Sequence, residues 1–140
     1  MPSRNHGRVA QNLGVALSAL RQRFDIYQQL SLDLEGWQSI PDIALFPHGT
    51  LSADWLTDED PVTMAPALVI EILSPMQNFQ PLVDKVREYL RHGVRSCWLV
   101  LPATKVVSVF PAEGGSRGFT EGVLQDDVLG IQLPLAAIFA

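Results

Sequence analysis

"PALVIEILSP", residues 66–75, decides the fold and raises its first question. Ala67 to Leu73 is apolar on both faces, the pattern of an interior strand covered on either side. Glu71 breaks the run between Ile70 and Ile72, with no basic neighbour in sequence. An ionised carboxylate buried without a partner costs several kcal/mol or takes up a proton. Glu71 therefore needs a cation or a route to solvent.

The segments on either side extend the reading. "PLVDKVREYLRHG", 81–93, reads as a helix with Pro81 in its first turn and Gly93 at its stop. "RSCWLVLP", 95–102, and "KVVSVFP", 105–111, are two further strands, followed by the turn "AEGGSRG", 112–118. The tail "VLGIQLPLAAIF", 128–139, is expected as an edge strand or a short helix. On the N-terminal side, "PDIALFP", 41–47, is a short strand closed by Pro47. Residues 48–65 form an excursion with an acidic patch at 54–60. A short strand is expected around 25–34. In "RVAQNLGVALSALRQRF", 8–24, the spacing of Val9, Leu13, Ala16, Leu17, Leu20 and Phe24 predicts an amphipathic helix. The order helix, strands, helix, strands fits a single α/β or α+β sheet domain over residues 1–140.

Bulk properties narrow the function. The chain has 140 residues, 47% hydrophobic and 18% charged, which is ordinary for a globular domain. No apolar run is long enough for a transmembrane helix, and the N-terminus lacks a signal-type apolar segment. A single cysteine, Cys97, excludes an internal disulfide, suits a cytoplasmic setting and is expected as a buried structural thiol. A net charge of −5 argues against strong nonspecific binding to nucleic acid. Basic residues gather in two segments, Arg4 to Arg23 and Lys85 to Arg95. They are either two solvated helix faces or one shared surface. His6, His48 and His92 lack zinc-ligand spacing.

Asp42 opens one strand and Glu71 interrupts another. If these strands are neighbours, the carboxylates converge and need a cation between them; hard oxygen ligands suit Mg²⁺. The alternative has Asp42 capping a turn and Glu71 reaching solvent at a strand end. On a wheel of about 100° per residue, Leu82, Val83, Val86, Tyr89 and Leu90 share one arc and Lys85 lies at its margin. Lys85 can reach the carboxylates from there, or snorkel to water.

Pro41-Asp42, Glu71 with Ser74-Pro75, Lys85, Tyr89, Gly93-Val94, Trp98-Leu99-Val100 and the apolar tail form an ordered set. This set resembles the Uma-type endonuclease family of the PD-(D/E)-x-K restriction-endonuclease-like superfamily. The resemblance runs from about residue 4 onward. It implies a mixed central β-sheet flanked by helices. It also implies a metal-dependent endonuclease that hydrolyses DNA phosphodiesters, with Mg²⁺ as cofactor and Mn²⁺ able to substitute. Asp42 and Glu71 would hold the metal with the backbone carbonyl of Leu73, and Lys85 would orient the attacking water. Leu73 stands where the superfamily motif carries lysine, and in this family that lysine looks moved onto the helix as Lys85. His6 matches a family histidine near the first helix and stays outside the catalytic set. Relative to the family pattern the chain lacks a first hairpin with a Glu-Leu-Ile-Asp-Gly-like segment, so a shortened member is expected. Pro81 replaces a frequent acid, and "LVLPAT" lacks the acid that often follows its strand. An unprotected edge strand invites a second chain, so a homodimer is expected. The competing reading is an inactive nuclease-like fold serving as a binding or assembly module.

Overall fold

A computed structural model describes residues 3–51, 54–58 and 60–140. The excursion at 48–65 thus lies partly outside the described residues, Glu59 of its acidic patch included.

Helix α1 (Arg4–Leu17) begins on Ser3, whose hydroxyl accepts the His6 amide at 3.1 Å. That bond satisfies one of the free N–H groups of the first turn. The helix closes through a 3-10 turn at Ser18–Leu20. It therefore starts earlier and ends sooner than the 8–24 expected. Phe24 matches helical spacing but opens strand β1 (Phe24–Gln28), where it is buried.

The strand expected around 25–34 is two elements. After β1 the chain turns at Gln29, with φ of 53°. Strands β2 (Leu32–Leu34) and β3 (Trp37–Ser39) then form a hairpin. Its two-residue turn, Glu35-Gly36, has φ of 55° and 91°. A primed turn needs positive φ at both positions, which is why glycine suits 36.

Strands β4 (Ile43–Pro47) and β5 (Leu68–Ile72) follow. Then come α2 (Phe79–Arg91), β6 (Ser96–Leu101), β7 (Val106–Pro111) and β8 (Arg117–Phe119). The segment read as a turn at 112–118 thus ends in a strand. Strands β9 (Val123–Asp126) and β10 (Ile131–Pro134) pair as a separate hairpin, and α3 (Leu135–Ile138) ends the fold. The apolar tail contributes both a strand and a helix.

The central sheet runs β1-β4-β5-β6-β7-β8. It is mixed: β5 and β6 are parallel, joined through α2, and the other neighbours are antiparallel. Strand β5 lies inside the sheet with all five residues buried. Its alternation assigns the faces. Leu68, Ile70 and Ile72 join a cluster with Val9, Leu13 and Leu17 of α1 and with the tail. Val69 packs with Val86 and Tyr89 of α2 and with Leu32 and Leu34 of the hairpin. Glu71 shares the Val69 face and so points at α2.

Candidate active site

The register of β4 on β5 pairs Ile43 with Ile70, so one step on Asp42 stands opposite Glu71. Asp42 bridges the strands. Its Oδ2 accepts the Ile72 amide at 2.8 Å, where Pro41 ends the regular ladder. Its Oδ1 lies 3.1 Å from His6 Nε2 and accepts Gln29 Nε2 at 3.2 Å. Asp42 thus joins two strands and α1, which replaces the reading of a simple turn cap.

Glu71 is 4% exposed, so the solvent-reaching alternative does not hold. Its Oε1 lies 3.1 Å from Lys85 Nζ and accepts the Tyr89 hydroxyl at 3.3 Å. Both partners approach Oε1, and Glu71 lines the cleft. Burial pushes the Glu71 carboxyl up to about 7; Lys85 opposes this and Asp42 adds to it. A cation between the carboxylates would return Glu71 to its charged form.

The cleft has a volume of about 460 Å³. Asp42, Glu71 and Lys85 share its wall with His6 and Gly7 of α1 and with Gln29. Lys85 reaches it from the margin of the α2 stripe, beside the Tyr89 ring. The three residues singled out from sequence therefore meet at one place.

Leu73 does not join them. Its N–H donates to Val100 O on β6 at 2.9 Å. The N–H and C=O of one strand residue face the same neighbour, so the Leu73 carbonyl turns toward β6. Ile72, whose N–H meets Asp42, turns its carbonyl to the Asp42 side. By this alternation the main-chain oxygen on the Asp42 side is that of Ile72, a residue of the cleft wall. The Leu73 side chain packs with Leu82, Val83 and Leu99.

Hard oxygens are what the site offers: two carboxylates and a carbonyl, on adjacent rigid strands. Among the described residues no three His, Cys, Asp or Glu side chains form a metal cluster. A dedicated protein cage is absent, and a two-carboxylate site leaves room for the waters that Mg²⁺ retains. The donor set fits that ion.

The arginines of the two basic segments do not line the cleft, where Lys85 and His6 are the wall's nitrogen bases. Arg8 bonds the Ala140 carbonyl, Arg23 those of Leu129 and Gly130, and Arg91 pairs with Glu88. The solvated-face reading holds for these arginines. His6, Gln29 and Tyr89 enter the site without having been picked out for it. His6 had a faint signal in its place near the first helix; Tyr89 belongs to the apolar stripe and to the ordered family set, with no role at the site attached. Cys97 is buried, and burial, followed by Glu71 and Asp126, pushes its thiol well up, so it is inert.

The Uma2 family model, described as "Putative restriction endonuclease", matches residues 1–138. The chain belongs to this family. Among curated proteins none matches it. A crystal structure from Anabaena variabilis ATCC 29413, of "a putative nuclease belonging to DUF820", superposes with a TM-score of 0.81 at 20% identity. The match covers 99% of this chain and 82% of that one. At that identity the likeness speaks for the fold, and the Uma2 chain shares the mixed sheet flanked by helices. Among its described residues no helix is long and apolar enough to cross a membrane.

Proposed function

We propose that this Uma2 family member is a Mg²⁺-dependent endonuclease that hydrolyses DNA phosphodiester bonds. One observation carries the reading: Asp42, Glu71 and Lys85, from three elements, converge on one open cleft, with Glu71 held through Oε1. Asp42, Glu71 Oε2 and the Ile72 carbonyl would hold the ion. When bound there, Mg²⁺ supplies a more acidic water and charge neutralisation at the phosphorus. Lys85 keeps an ammonium at the cleft wall, where it orients the attacking water and steadies a phosphate oxygen. His6 and Gln29 hold Asp42 in place from the opposite wall. A second copy of the chain adds to the outer edge of β1, making the working form a homodimer.

The test is incubation of supercoiled plasmid with the protein and Mg²⁺ or Mn²⁺, beside Asp42→Ala and Glu71→Ala. The parent is expected to nick the plasmid. Each variant should lose on the order of 100-fold or more in rate. Cleavage that survives both substitutions would exclude this site as its source. Absence of cleavage on every DNA tried, together with absence of Mn²⁺ binding, would replace the proposal with a nuclease fold serving as a binding module.

A further inference from the structure

Glu71 is gripped by one oxygen. Lys85 and Tyr89 both approach Oε1. The two partners differ in kind. Lys85 is a long, partly exposed side chain whose ammonium can swing. Tyr89 is fully buried, its ring packed edge-on against Trp37 with centroids 4.8 Å apart. The hydroxyl of Tyr89 is therefore the fixed contact and Lys85 the adjustable one. Ser39 Oγ lies beside that hydroxyl without a sound hydrogen bond. Among the described residues it is the buried side-chain polar atom left without a partner. A phenol oxygen that donates to Glu71 still has lone pairs to accept from Ser39.

We propose that Tyr89 is a positioning residue: its hydroxyl fixes the Glu71 carboxylate by Oε1 so that Oε2 faces the metal cleft. This rests on the metal site proposed above. Tyrosine to phenylalanine keeps the ring against Trp37 and removes the one rigid donor. The carboxylate then turns with the mobile lysine, and the ligand oxygen loses its preset direction.

Two measurements on purified protein at pH 8 test it. Calorimetry with Mn²⁺ alone compares the parent with Tyr89→Phe, for which about tenfold weaker binding is expected. Urea unfolding then compares Tyr89→Phe in the parent and in Glu71→Leu. A positioning hydroxyl stabilises the parent but has nothing to hold beside Leu, so the substitution should lower the midpoint only in the parent. Equal Mn²⁺ affinity in the parent and Tyr89→Phe overturns the proposal. So does an equal loss of midpoint in both backgrounds, which assigns Tyr89 to packing. If the parent binds no Mn²⁺, the metal reading fails. The unfolding pair then still decides whether Tyr89 holds Glu71.

Discussion

Glu71 shows what an ion-free site of this kind costs the fold. Its carboxyl, held up to about 7 by burial, titrates above its ordinary value of 4.5. A raised acid contributes stability that is complete below the lower value and is lost as pH climbs through the higher one. Between pH 4.5 and 7 the metal-free protein should therefore lose roughly 3 kcal/mol through this group. Glu71→Gln does not titrate. Urea unfolding at pH 5 and pH 8 should show the parent falling toward, or below, the variant at the higher pH. A parent-minus-variant difference that stays flat across that range would refute the burial argument. Glu71 was visible in sequence because a charge inside an apolar run has few innocent explanations. Lys85 was visible because a wheel places it at the edge of a stripe. The roles of Tyr89 and His6 at the site were hidden for one reason: each looks ordinary on its own helix. Their partners, Glu71 and Asp42, are brought to them only by packing.

At the scale of elements, the long periodic segments were legible and the short ones were not. α2, β5, β6 and β7 each carry enough residues for their period to show. The three-residue strands β2, β3 and β8 do not. β2 and β3 are set by the Glu35-Gly36 turn and by docking on α2, where Trp37 stacks on His92 and meets Tyr89. The β9–β10 hairpin is tied to the sheet by Asp126, a buried acid just ahead of the apolar tail that gave no signal in sequence. Asp126 accepts Ser96 Oγ at 2.6 Å, Trp98 Nε1 at 2.8 Å and the Leu129 amide at 3.1 Å. Asp126→Ala strands three buried donors, each worth about 1–3 kcal/mol. A loss of at least roughly 3 kcal/mol is expected in urea unfolding. Asp127→Ala, next to it but exposed, should stay within about 0.5 kcal/mol of the parent. Equal effects of the two would show that the network does not anchor the hairpin.

The whole molecule brings the sheet edge into question. Flanking β1, the amide of Gln29 donates to Asp42 O and the carbonyl of Arg23 accepts the His48 amide, at the two ends of β4. By alternation, Ile26 turns its N–H outward, away from the sheet. Ile26→Pro removes that outward donor and leaves the β4 ladder intact. Sedimentation equilibrium should give a dimer mass for the parent and a monomer mass for the variant. A monomeric parent would end the edge-pairing proposal. The sequence alone determined the mixed α and β class, the interior place of "ALVIEIL", and the candidates Asp42, Glu71 and Lys85. These follow from local patterns of burial and charge, which neighbours in the chain suffice to define. The tertiary structure decided which groups meet at the cleft: Ile72 rather than Leu73 in its wall, and Glu71 held through Oε1 by Lys85 and Tyr89. Such meetings depend on which strand lies on which side and on which side chains reach the carboxylate. Strand neighbours and side-chain partners of that kind are set by contacts between segments far apart in the chain.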